Sequence, residues 1–104
     1  QPCFVQQFIS FKRALFVPAG LIGMRAPRQK CSFLKKVQTV RGAAYPCGCN
    51  VAFYVGPKNF MVEMETMSPE MTLKPGEKLV STERWFLAPM LDWNKPQTIR
   101  KLAQ

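Results

Sequence analysis

Two carboxylates separated by one residue are the first feature of the sequence that could support chemistry. Glu63 and Glu65 lie in the run "NFMVEMETM", residues 59–67, in which Phe60, Val62 and Met64 alternate with more polar positions. Side chains of a β-strand repeat every second residue, so both carboxylates are expected on one face. Two neighbouring carboxylates can share a proton, and each can raise the pKa of the other. The spacing therefore indicates either a pair of carboxylates that share a proton or, as the plainer interpretation, a simple solvated pair.

Four cysteines form the second group of reactive side chains, and their pairing stays open. Cys3, Cys31, Cys47 and Cys49 allow three disulfide connectivities. Cys47 and Cys49 do not easily bond each other, so a cross-link would have to reach Cys3 or Cys31. Zinc usually needs a C-x₂₋₄-C spacing or histidine partners, and the chain contains no histidine. The sequence therefore predicts no metal site and no cofactor, and it leaves reduced thiols and disulfides as equal alternatives.

The charges are unevenly distributed along the chain. The net charge is +9, and every carboxylate follows Val62, whereas basic residues occur throughout. Such a surface can attract nucleic acid, an anionic membrane or an acidic partner chain, and a solvated basic face is the plain alternative. Aromatic residues stand among the cations, as base stacking requires, although no RNP, helix-turn-helix or zinc-finger pattern is present. The nucleic-acid candidates are Lys35, Lys36 and Arg41.

The elements that would position these residues are predicted to be β-strands. Runs rich in aromatic and branched residues are separated by Gly, Pro and Asn, which predicts an all-β, antiparallel sandwich. Residues 51–56, 59–67 and 78–87 are expected to be consecutive antiparallel strands, with a turn at Pro75-Gly76. A short helix is expected in the tail, beginning no earlier than Pro96. No apolar run is long enough to span a bilayer.

A series of short motifs in the second half resembles one known family. The series consists of Tyr45-Pro46, Gly48-Cys49-Asn50, Val62-Glu63-Met64-Glu65-Thr66, Pro69, Leu73, Pro75-Gly76-Glu77 and Glu83-Arg84-Trp85. In this order the motifs resemble the C-terminal part of galactose-mutarotase-like proteins, the aldose 1-epimerase superfamily. A weaker match extends back through residues 21–36, so the resemblance covers about two thirds of the chain.

The resemblance implies a β-supersandwich with a concave face that holds a sugar. Proteins of this family are commonly more than twice as long, so the 104 residues are expected to form a single β-domain or a fragment completed by a partner. In that arrangement residues 1–44 are a basic segment, residues 45–90 carry the motif-bearing strands, and residues 91–104 are a tail.

The same resemblance assigns roles in anomer interconversion. Glu65, followed by Thr66, matches the family's catalytic base, and Glu63 would support it. The residues expected to contact the sugar are Trp85, Arg84, Asn50 and Tyr45. For Trp85 the commoner interpretation is a core residue. Because the family commonly uses histidines and this chain has none, the chain alone is expected to be inactive.

Overall fold

The computed structural model describes residues 11–92 and 94–104, and in these residues six strands and one short α-helix occur. The strands form two three-stranded sheets in which every neighbouring pair is antiparallel. The prediction of a mostly β, antiparallel protein is confirmed, and the two sheets are consistent with a small sandwich-like arrangement.

The first sheet, sheet A, places β4 between β1 and β5. Its strands are β1 (Phe11–Leu15), β4 (Val51–Val55) and β5 (Val62–Thr66). The β4–β5 hairpin is closed by a 3-10 turn, Pro57–Asn59, and by a hydrogen bond from Gly56 N to Met61 O of 2.8 Å. This confirms the predicted pairing of the strands over residues 51–56 and 59–67, although the second strand begins three residues later than predicted.

The second sheet, sheet B, places β3 between β2 and β6. Its strands are β2 (Leu21–Ala26), β3 (Cys31–Val37) and β6 (Glu83–Pro89). The registers pair Ile22 with Lys35, and Lys35 with Trp85. One face of sheet B, here called the cleft face, therefore carries Ile22, Met24, Phe33, Lys35, Trp85 and Leu87. The opposite face, the helix face, carries Leu21, Leu34, Lys36, Arg84 and Phe86.

The position of β6 corrects one prediction. The strand expected over residues 78–87 begins only at Glu83, and it pairs with β3 rather than with β5. Met67 N bonds to Asn50 O and so continues the β4–β5 pairing by one residue, and beyond it Glu70 N bonds to Ala44 O, both at 2.8 Å. The predicted turn at Pro75-Gly76 is present, with Gly76 at φ +89°, and it returns the chain to sheet B.

The tail forms α1 (Pro96–Leu102), as predicted, because proline is tolerated in the first helical turn and nowhere later. Lys36 Nζ donates to Ala103 O at 3.0 Å, and Arg84 donates to Gln104 O at 3.1 Å, so the end of the helix lies against the helix face. Ile99 and Ala103 are buried there, and Leu34 is buried in the sheet. Of the helices described, none has the length and apolar character needed to cross a bilayer.

Candidate functional site

A cleft opens where strand β5 of sheet A lies against the cleft face of sheet B. It consists of two adjoining open depressions of about 390 and 420 Å³, which share Lys35, Met64 and Glu65. The first is lined by Met24, Phe33, Lys35, Val62, Glu63, Met64 and Glu65. The second is lined by Lys35, Met64, Glu65, Thr66, Ser81 and Glu83. We call both together the inter-sheet cleft.

Lys35 lies at the centre of this cleft and links the two sheets. It belongs to β3, and its ammonium group donates to Met64 O on β5 at 2.9 Å. Because β5 is at the edge of sheet A, this bond satisfies a carbonyl that no strand within the described residues pairs with. The same ammonium lies 3.8 Å from Glu83 Oε2 and 5.4 Å from the centre of the Trp85 ring.

Glu83 extends this polar contact along the cleft. Its Oε2 accepts a hydrogen bond of 2.6 Å from the Thr66 hydroxyl, and its Oε1 accepts one of 3.4 Å from Trp85 Nε1. A carboxylate, a hydroxyl, an ammonium and an indole are therefore held together by contacts that cross between β5 and sheet B. Sequence reasoning did not select Glu83, Lys35 or Thr66 for this site, since their proximity depends on β6 lying beside β3.

The two carboxylates of the proposed pair both line the cleft. Glu63 is exposed and Glu65 is partly buried, and strand alternation places them on one face of β5, as predicted. Lys12 on β1 reaches across β4 to Glu65, with Nζ–O distances of 3.1 and 3.3 Å. The ion pair orients the Glu65 carboxylate, and its exposure means that it contributes little to stability.

Trp85 lies at the rim of the cleft, and its interpretation as a core residue is wrong. The side chain is 65% exposed, because β6 is an edge strand and, within residues 11–92 and 94–104, no third layer covers the cleft face. The ring packs edge-on against Phe33, with the centroids 5.5 Å apart. Lys35 Nζ lies over the same ring, 5.4 Å from its centroid, and because most of the side chain is still exposed, the indole is accessible to an apolar ligand.

Three other predicted sugar contacts lie away from the cleft. Asn50 is fully buried, and its amide bonds to Val17 N, Val17 O and Thr39 Oγ1 at 2.7, 2.8 and 3.1 Å. Tyr45 is buried, and its hydroxyl accepts a hydrogen bond from Val40 N. Arg84 lies on the helix face, where its guanidinium stands 5.1 Å from the Phe86 ring. Asn50 and Tyr45 therefore act as structural residues, and Arg84 belongs to a different surface.

Two of the three nucleic-acid candidates lie on opposite faces of sheet B. Lys35 and Lys36 are adjacent in β3 and point to opposite faces, and their ammonium groups bond to Met64 O and Ala103 O. Arg41 is exposed in the loop between β3 and β4. A phosphate backbone needs cations arranged along one surface, and Lys35 and Lys36 do not share one, so the nucleic-acid hypothesis stays a prediction.

Cysteine and acidic residues form no metal cluster in the part of the chain that is described. Groups of three or more Cys, Asp, Glu or His side chains close enough to hold an ion do not occur there. Cys31, Cys47 and Cys49 are free thiols, and Cys3 lies outside the described residues. Cys49 Sγ contacts Cys47 O at 3.3 Å within the 3-10 turn Pro46–Gly48.

Comparisons of the chain with protein-family models, with curated proteins and with solved structures find no match. The geometry therefore defines the class of the protein as a two-sheet antiparallel β-protein with an open, charged cleft. The resemblance to galactose-mutarotase-like proteins stays a prediction that rests on its motif series.

Proposed function

We propose that this chain is a carbohydrate-binding β-domain that holds a sugar in the inter-sheet cleft. The observation that carries the proposal is the exposed Trp85 ring, which stands at the rim of a cleft lined by Glu63, Glu65 and Lys35. Sugars present apolar C–H faces together with rings of hydroxyl groups. An open indole next to carboxylates and an ammonium offers partners for both.

The polar groups of the cleft suit hydroxyl recognition by their chemistry. Carboxylates accept hydrogen bonds, an ammonium donates them, and a sugar hydroxyl does both. Glu63 and Glu65 supply the acceptors on β5, and Lys35 supplies a donor on β3. Because the cleft is open rather than enclosed, it fits the end or the side of a glycan, and we expect weak binding of single sugars.

Trp85→Ala tests this proposal. Loss of the ring should weaken the binding of glucose or galactose roughly threefold to tenfold, because stacking contributes about 0.5–1.5 kcal/mol. Binding is measured by saturation-transfer NMR, which needs no tryptophan signal. Leu87→Ala is the matched control, since Leu87 is 75% exposed on the same face of β6, two residues beyond Trp85, and carries no aromatic ring. Equal affinities of the wild type and the Trp85→Ala variant would contradict the proposal.

The same cleft is proposed to be related to that of aldose 1-epimerases, with Glu65 as the base. Ring opening requires a base at the anomeric hydroxyl and an acid at the ring oxygen. Lys12 holds the Glu65 carboxylate in place, and Glu63 lies on the same strand face. Since the chain contains no histidine, we propose that it binds sugar without interconverting anomers unless another segment or a partner supplies the acid.

Polarimetry of freshly dissolved α-glucose or α-galactose tests the role of Glu65. The lone chain should not accelerate mutarotation above the buffer rate, and Glu65→Gln should retain sugar binding because the amide keeps the shape of the side chain. In an assembly in which the chain is active, Glu65→Gln should reduce the rate by about 10²-fold or more. An active assembly whose rate is unchanged by Glu65→Gln would remove Glu65 from the mechanism.

A further inference from the structure

We propose that the free edge of β6 binds an extended segment of a partner protein in which apolar and acidic residues alternate. The segment would add a fourth strand to sheet B, next to β6. This proposal stands on the contacts of β6 and the helix face, and it shares only Trp85 with the sugar site proposed for the cleft.

The edge itself is the first observation. β6 pairs with β3 on one side, and no strand of residues 11–92 or 94–104 pairs with its other side. An unpaired edge presents backbone N–H and C=O groups that another extended chain can bond to. Among the residues of β6 described here, only Pro89 lacks an N–H, and it stands at the strand's end.

The cleft-face side of β6 indicates that the partner segment carries apolar residues. Trp85 is 65% exposed and Leu87 is 75% exposed, and strand alternation places them side by side on this face. Phe33 and Met24 continue the apolar surface inward across β3 and β2. An added strand would place every second side chain next to Trp85 and Leu87, and apolar residues at those positions would reduce the exposed area.

The helix-face side of β6 indicates that the partner segment carries acidic residues. Arg84 and Lys36 are directly paired across β6 and β3, so two cations stand next to each other. They donate to Gln104 O and Ala103 O, and no Asp or Glu side chain of the described residues forms an ion pair with either of them. Arg84 is exposed, and its guanidinium has five donors, most of which stay available for a carboxylate.

The charge of the chain selects between possible occupants of this edge. A second copy would bring a further +9 charge, and it would offer a strand with one arginine and one glutamate. An alternating acidic segment is attracted by the net charge and also matches the paired cations Arg84 and Lys36. The inferred partner is therefore a strand with acidic residues on one face and apolar residues on the other.

Two nine-residue peptides test the inference on the full chain. One alternates valine with glutamate, and the other alternates valine with lysine. The acidic peptide should bind, should shift the backbone amide signals of residues 83–89 in NMR spectra, and should bind more weakly as salt is raised. The basic peptide should not bind. Absence of binding by the acidic peptide, or equal binding of both peptides, would overturn the inference.

Charge reversal at the edge gives the matched comparison. Arg84→Glu should weaken the binding of the acidic peptide roughly tenfold, and it should allow the basic peptide to bind. Arg28→Glu makes the same charge change in the exposed β2–β3 turn, away from β6, and should alter the affinity less than twofold. Equal effects of the two substitutions would show that only the net charge matters. Concentration-dependent dimers in sedimentation, with shifts on β6, would assign the edge to a second copy instead.

Discussion

Replacing Asn50 by alanine should lower the free energy of unfolding by about 3 kcal/mol. The side chain is fully buried, and it bonds both to the backbone N–H and to the C=O of Val17. Val17 lies in the link between β1 and β2, so the amide ties the two sheets together at the point where the chain passes from one to the other. Alanine would leave these two backbone groups and the Thr39 hydroxyl without their partner.

Urea denaturation followed by far-UV circular dichroism measures the effect. Asn94→Ala is the control, because Asn94 is exposed near α1 and its replacement should change stability by less than about 0.5 kcal/mol. A loss in Asn50→Ala as small as that of the control would show that water replaces the amide at the junction, and the structural role assigned to Asn50 would then be incorrect.

Gly20→Ala should destabilise the protein by about 3 kcal/mol as well, for a steric reason. Gly20 has φ +63°, and a Cβ atom added there would lie 2.1 Å from Val37 O. The contact is with backbone that is itself held in place, because Val37 N bonds to Gly20 O at 2.9 Å. The chain must therefore shift at the start of β2, and it must also place alanine in the left-handed region.

Gly76→Ala separates these two contributions. Gly76 has φ +89°, and an added Cβ would meet nothing within 4 Å, so only the left-handed conformation opposes the substitution. We expect a loss of about 1 kcal/mol at this position. Thermal unfolding of both variants gives the comparison, and equal losses at the two positions would mean that the close approach to Val37 relaxes at no cost.

The sequence predicted the local parts of the fold well. Alternation in residues 51–67 identified the β4–β5 hairpin, and Pro96 fixed the start of the helix. Alternation also placed Glu63 and Glu65 together, since a period of two determines their face without any tertiary contact. These features depend on neighbours in the chain, which a single sequence contains.

The parts that could not be predicted depend on contacts between distant residues. Residues 68–82 form no strand, and near their start Glu70 N bonds to Ala44 O, a backbone contact that no side-chain pattern encodes. The shift of β6 to sheet B then brings Glu83 and Lys35 into the cleft and leaves Trp85 exposed. Likewise, the separation of Arg84 from the cleft follows from the register of β6 on β3.

The strand order of the two sheets has a consequence for how the chain folds. Sheet A takes β1 from the start of the described chain and β4 and β5 from its middle, whereas sheet B combines β2 and β3 with β6. The β2–β3 and β4–β5 hairpins close short loops and need little ordering of the chain. The β1–β4 and β3–β6 pairings close long loops, and their entropy must be lost before the contacts form. The two hairpins are thus expected to form first. Strand β1 then joins the β4–β5 hairpin to complete sheet A, and β6 joins the β2–β3 hairpin to complete sheet B.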